Sequence, residues 1–152
     1  MRLTSHTDFG LRVLMYLAVQ EGHQSTAPDM AEAHGLSLHH LRKVVQALAQ
    51  AGLVDTVRGR GGGVSLARRP EVIRLGEVVR ALETDMDIVE CFGAGPVQCT
   101  IVSACRLKAA LYGAREAFLS HLDQLTLAEV SQNGHALRGL LSAQASPPEG
   151  SG

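Results

Sequence analysis

The three cysteines of this 152-residue chain, Cys91, Cys99 and Cys105, fall within fifteen positions as C-x7-C-x5-C. Cysteines buried for packing would be scattered. Thiols gathered on one Gly/Pro-containing stretch (Cys91-Phe92-Gly93-Ala94-Gly95-Pro96-Val97-Gln98-Cys99) suit soft-metal chemistry. Thiolates hold iron–sulfur clusters or zinc. Zinc sites usually bring two cysteines within two to four positions, a spacing absent here. Three thiolates leave one ligand position open, and no His closely follows Cys105. An iron–sulfur site, a zinc site and three metal-free thiols all remain open on the residues alone. The odd cysteine count argues against a disulfide framework.

A second chemistry is written in charge. Residues 36 to 80 contain eight Arg or Lys and three acids, a balance of +5 within a chain of net charge −1. A basic block on a near-neutral body is the pattern of a nucleic-acid face. Its cations and amides fall into two groups. Ser37, His39, His40, Arg42, Lys43 and Gln46 make one, and Arg58 and Arg60 the other. Imidazole and amide groups can read base edges, and Lys or Arg can also clasp phosphate. The alternative for each residue alone is a solvated polar face.

The elements that must position these groups follow from the apolar periods. Residues 8 to 21 read as a helix with Leu11, Leu14, Met15 and Ala18 on one stripe, Thr7 as N-cap, Asp8 in the first turn and a stop near Gly22. A short helix beginning around Ser25 to Pro28 carries Met30, Ala31 and Ala33 and ends at Gly35. A third, capped by Ser37 and closed by Gly52, has Leu41, Val44, Val45 and Leu48 inward. Two helices joined at Gly35 make a helix-turn-helix. Residues 53 to 57 and 64 to 67 read as strands flanking Arg58-Gly59-Arg60-Gly61-Gly62-Gly63, a basic wing. No Lys-Ser/Thr follows those glycines, so the turn is not a P-loop. The third helix thus becomes a recognition helix, and Arg58 and Arg60 can enter a minor groove or hold phosphate.

In the second half, residues 74 to 82 read as a helix with Leu75, Val78, Val79 and Leu82 inward, followed by an acidic stretch and the cysteines. A longer helix from about Ser103 to Leu122 carries Leu107, Leu111, Ala114 and Phe118 on one stripe, a candidate dimer seam. Thr126-Leu127-Ala128-Glu129 is a capping box opening a last short helix. The expected organisation is a mainly α chain. Residues 1–82 form a winged helix-turn-helix domain with a two-stranded β wing, and 83–105 form the cysteine loop. Residues 103–141 supply the dimerisation helix and last short helix, and 142–152 a disordered tail. Apolar residues make up 45 % of the chain, enough for a core, while aromatics at 3 % favour helices over a β-sandwich. No apolar run approaches the roughly 20 residues that span a bilayer, and the polar start lacks a signal peptide, so a cytoplasmic location and no membrane partner are expected.

Taken together, several segments resemble one family, the winged-helix iron–sulfur transcription regulators that include NsrR and IscR. They are the opening Leu3-Thr4-Ser5-His6-Thr7-Asp8-Phe9-Gly10-Leu11-Arg12, the wing from Val57 to Gly63, and Ile73-Arg74-Leu75-Gly76-Glu77-Val78-Val79. Val89-Glu90-Cys91-Phe92, Ala104-Cys105-Arg106-Leu107-Lys108 and Thr126-Leu127-Ala128-Glu129 look like the NsrR branch. The resemblance implies a homodimeric repressor that binds double-stranded operator DNA and senses nitric oxide through an iron–sulfur cluster. It makes Cys91, Cys99 and Cys105 ligands, with Asp8 contributed by the other subunit as the fourth. A 4Fe–4S cluster fits that ligand set best, and 2Fe–2S is the other option. Lys108 stands where the IscR branch has a His, so IscR-like ligation does not fit. On the residues alone, Asp8 reads as a first-turn acid paired with Arg12. Two other functions stay open: a related regulator sensing redox state or cluster supply, and an iron–sulfur electron-transfer or enzyme subunit. The second lacks support, because no Ser/His/Asp arrangement or nucleotide loop is present. No catalytic residue is assigned, and the chain reads as a non-enzyme.

Overall fold

A computed structural model describes residues 2–20 and 24–144. Its helices are α1 (Ser5–Val19), α2 (Ala27–His34), α3 (Leu38–Gln50), α4 (Leu75–Leu82), α5 (Arg106–Gln124), α6 (Leu127–Val130) and α7 (Gly134–Gln144). The strands β1 (Val54–Val57) and β2 (Gly63–Leu66) lie between α3 and α4, and 3-10 turns occupy Pro70–Val72, Glu90–Phe92 and Val102–Ala104. The fold is the expected mainly α winged helix. The expected stop near Gly22 and most of the tail lie outside the described residues.

The helix-turn-helix forms as its sequence dictates. Thr26 and Asp29 cap α2 reciprocally, each side chain accepting from the other's backbone N–H. Gly35 then takes φ +62°, the left-handed conformation in which only Gly is unstrained, while Leu36 N–H closes the turn onto Ala31 C=O at 2.8 Å. Ser37 caps α3 by accepting from His40 N–H at 3.2 Å. Leu41, Val44, Val45 and Leu48 are all buried, as the period predicts. The wing pairs antiparallel with Val54 opposite Leu66 and Val57 opposite Gly63. Ser25 does not start α2. It exchanges backbone hydrogen bonds with Val64, at 3.0 and 2.8 Å, and so adds an antiparallel bridge to β2 of the wing.

The first helix departs from the expectation at both its cap and its stripe. Its N-cap is Thr4, whose hydroxyl accepts from Thr7 N–H at 3.3 Å. Thr7 is instead fully buried. Of the predicted stripe only Leu14 is fully buried, while Leu11, Met15 and Ala18 are half-buried. Gly10, Val13, Leu17, Tyr16 and Val19 are buried instead. The reason is position: α1 is packed by α3 and α4, by α6 and α7 and by β2, so it has no single inward face. Gly10 allows this crowding. A Cβ there would run into the buried Leu82 side chain and lie 3.8 Å from Val44.

The C-terminal part is tied back into the first half. Leu75 N–H donates to Leu125 C=O at 3.0 Å and Leu127 N–H to Ile73 C=O at 2.9 Å. The Thr126–Glu129 capping box forms as expected, and Leu127 enters the core. The box opens a helix of only four residues, and a separate helix, α7, follows and packs on α1 and α2. Arg138 of α7 donates to Val19 C=O at 2.8 Å, capping the end of α1. The long helix starts at Arg106, after a 3-10 turn, and Leu119 is its one buried residue.

If α1 meets α4 at Gly10, Gly10→Val overpacks the junction and should cost about 1 to 3 kcal/mol. The expected result is a lower urea midpoint at unchanged slope. An unchanged midpoint would mean that the helices do not meet there.

Candidate nucleic-acid interface and cysteine segment

On α3 the polar set separates cleanly from the core set. His39, His40, Arg42, Lys43 and Gln46 are exposed, with the two imidazole rings 6.0 Å apart. Arg58 and Arg60 are exposed at the wing tip, where Gly62 N–H closes the turn onto Gly59 C=O at 3.0 Å. A groove of about 950 Å³ runs between α2, α3 and the wing, and Arg42, Gln46 and Arg58 line it. Helix and wing therefore present one continuous surface.

Ion pairing sorts the cations of the basic block. Arg68 pairs with Glu77, Arg69 with Glu71 and Arg80 with Asp123. Arg74 donates to Gln124 C=O at 3.1 Å. Among the described residues, Arg42, Lys43, Arg58 and Arg60 have no such partner. The cations of the block left without a partner are those of α3 and the wing tip, where a phosphate backbone would supply the missing anions.

The cysteine segment is built differently. Between α4 and α5 only two 3-10 turns interrupt irregular chain. Cys91 sits in the first turn, Cys99 is exposed beyond it, and Cys105 is the N-cap of α5. All three are free thiols. Among the described residues, no three His, Cys, Asp or Glu are gathered into a metal-binding group. The donor set nevertheless fits a soft metal: three thiols lie on chain with no helix or sheet of its own to oppose rearrangement, and such sites order when metal binds.

Sequence reasoning passed over three groups, and the first of them connects this segment to α1. Glu83, the C-cap of α4, accepts from Thr4 N–H at 3.0 Å, from Thr4 Oγ1 at 3.1 Å and from Thr7 Oγ1. The start of the cysteine segment is thereby latched to the first turn of α1. In the same first turn Asp8 pairs with Arg12, one turn on, at 2.9 Å, with Asp8 46 % exposed. This is the i,i+4 pair that the residues alone predict. Behind Arg12 lies His34, its ring edge-on to Tyr16 and its Nε2 buried without a hydrogen-bond partner. Arg115 on α5 is the third, and it faces Phe92 beside Cys91.

Comparison with known proteins decides the family. The sequence profile of Rrf2, described as "Iron-dependent Transcriptional regulator", matches residues 3–133. The chain belongs to the Rrf2 family. Proteins named "HTH-type transcriptional regulator NsrR" are similar to it. That of Geobacillus kaustophilus is 44 % identical, covering 93 % of this chain and 97 % of its own. That of Bacillus subtilis is 45 % identical with the same coverage. Among solved structures, T. potens IscR superposes with a TM-score of 0.68 at 27 % identity, covering 88 % of each chain. CymR, the global cysteine regulator of B. subtilis, gives 0.68 at 26 %, covering 88 % of this chain and 98 % of its own. This Rrf2 chain is thus a DNA-binding transcriptional regulator and not an enzyme. No helix among its described residues is long and apolar enough to cross a membrane.

In this Rrf2 chain burial is the main cause that holds the His34 pKa below its ordinary 6.5, and the nearby Arg12 cation adds to it. The unfolded chain therefore binds the proton more readily than the folded one. Stability is full above the ordinary value and falls as pH drops below it. His34→Gln should remove that part of the slope. Urea midpoints at about pH 7.5 and about pH 5.5 should then lie closer together in the variant than in the native chain. Equal separations would show that His34 is not held neutral.

Proposed function

We propose that this chain is a homodimeric transcriptional repressor that senses nitric oxide through an iron–sulfur cluster. Cys91, Cys99 and Cys105 of one subunit hold the cluster, and Asp8 of the partner subunit completes it. One observation carries the reading: the segment bearing the three free thiols is latched through Glu83 to Thr4 and Thr7 of α1, and α1 packs on the recognition helix α3. The similarity to regulators named NsrR supports it. We favour a 4Fe–4S cluster for this set of three thiolates and one carboxylate, with 2Fe–2S, which also takes four protein ligands, as the other option.

When bound, the cluster supplies iron atoms that take up nitric oxide. The protein's part is to make that event felt at DNA. Asp8 is a hard carboxylate beside soft thiolates, which makes it the weakest of the four ligands. It has a second partner within reach in Arg12, so giving up the cluster does not strand its charge. Glu83 passes any displacement of the cysteine segment to the first turn of α1. Because α1 and α3 pack through Gly10 and Val44, a rotation of α1 turns α3 as well. In a dimer the two α3 helices must match half-sites roughly 34 Å apart, so a small rotation of each weakens binding. The intact cluster must favour the DNA-competent arrangement for this coupling to operate.

Dimerisation rests on α5. Its 19 residues overrun the eight of α4, against which it packs. Leu107 and Ala114 are left exposed and Leu111 and Phe118 half-buried. The neighbouring Ile101 and Tyr112 are 63 % and 51 % exposed. A second copy of the same face would cover this apolar strip.

Two measurements test the proposal. After anaerobic reconstitution, Asp8→Ala should retain iron on three thiolates but shift the absorption spectrum and weaken DNA binding, although Asp8 lies off the α3–wing surface. A native spectrum with native nitric oxide response would leave Asp8 as a helix-dipole acid only. At the interface, the Arg58→Ala/Arg60→Ala double variant should weaken binding to all DNA sequences and flatten the salt dependence by about two units. Unchanged affinity and slope would remove the wing from the interface.

A further inference from the structure

The side chain of Arg115, on α5, is only 17 % exposed, unusual for a cation. Its guanidinium lies 5.1 Å from the ring centre of Phe92 and 4.8 Å from that of Tyr112. Those two rings meet edge to face, 6.0 Å apart at 78°. Its nitrogens also reach Asp87 at 3.5 Å and Glu116 at 3.2 Å. Glu116 and Tyr112 belong to α5, whereas Asp87 and Phe92 belong to the cysteine segment, on either side of the 3-10 turn's start and adjacent to Cys91. Arg115 thus adds ionic and stacking contacts to the ring pair Phe92–Tyr112 that joins that turn to α5. A planar cation suits the task because its face can stack on rings while its edge donates to carboxylates, which an ammonium cannot do.

We propose that Arg115 is a positioning residue for Cys91: by clamping Asp87 and Phe92 onto α5 it fixes the turn that presents the first cluster thiolate. This rests on reading Cys91 as a ligand. The clamp also joins two parts of the proposed mechanism. Tyr112 is half exposed on the strip assigned to the dimer seam, and Cys105 caps the same helix. The first and third cysteines are therefore both referred to α5, and the segment between them is left free to adapt. The position of Cys91 then depends on a helix that the partner subunit would also touch.

The test begins on the metal-free, reduced full-length chain, by hydrogen–deuterium exchange. The Phe92 and Gly93 amides close the turn onto Val89 and Glu90 C=O at 3.0 and 3.2 Å. In Arg115→Ala their exchange should quicken roughly fivefold, the factor that one partly desolvated cation–π contact sustains. The turn at Val102 and the amides of α3 should be unaffected. Phe92→Leu should also quicken exchange, and the double variant should fall short of the sum of the two, because they share the Arg115–Phe92 contact. Arg115→Lys, which keeps the charge without the flat face, should also exchange faster, and it serves where Arg115→Ala fails to fold. Unchanged exchange in both Arg115 variants, or additive effects in the double variant, overturns the clamp.

The second arm loads iron and sulfide anaerobically and follows iron loss to a chelator. Arg115→Ala should lose iron several-fold faster than the native chain. Faster exchange with native iron retention would mean that Arg115 orders the turn without positioning Cys91, which overturns the proposal and leaves the three-thiolate reading intact. A native chain that takes up no iron overturns the ligand reading, and this inference with it.

Discussion

The close packing of α1 against α3 and α4 at Gly10 is the constraint on which the other features depend. With no Cβ at that position, Leu82 of α4 and Val44 of α3 both come up to the α1 backbone. A helix so enclosed cannot tilt or turn without displacing its neighbours, since packed interiors transmit strain. One of those neighbours is the proposed DNA reader. The other ends at Glu83, where the cysteine segment starts, and Glu83 holds α1 a second time through Thr4 and Thr7. In the proposed mechanism, sensor and reader thus share one rigid element and need no separate relay.

The distribution of charge follows the same division. Arginines that serve the fold are paired: Arg68, Arg69 and Arg80 with carboxylates, Arg74 with a helix-end carbonyl. In the Arg80 pair the hydrogen bond from the guanidinium also holds the Asp123 carboxyl below its ordinary pKa. The cations proposed to serve DNA stay unpaired among the described residues, on α3 and at the wing tip. Net charge alone would not separate the two sets, because both contribute equally to the +5 block. What separates them is whether the folded chain brings an acceptor, carboxylate or carbonyl, within reach.

That distinction also explains how much the sequence revealed. The amphipathic stripe of α3, its Ser37 cap, the Gly35 turn and the Thr126–Glu129 box were all legible, because each is a local pattern within a few residues. So was the clustering of cysteines. The stripe of α1 was misjudged because periodicity assumes one buried face, and α1 is enclosed from several sides. Thr7 looked like a cap because it is a hydroxyl residue before an apolar run, yet its hydroxyl is spent on Glu83, 76 positions away. Arg115 and Glu83 could not be singled out for the same reason: their partners are brought to them by the fold. Helix α7 begins at Gly134 directly after Asn133, a cap and turn signal that the expectation of one last short helix passed over.

The account stands or falls on whether DNA binding follows the state of the cluster. The direct measurement is an anaerobic titration of the reconstituted dimer with nitric oxide, recording the absorption spectrum and DNA affinity on the same samples. The account predicts that affinity falls in step with the spectral change, and that a mild oxidant which leaves the cluster spectrum intact leaves affinity intact. Equal DNA affinity before and after complete reaction with nitric oxide would contradict it.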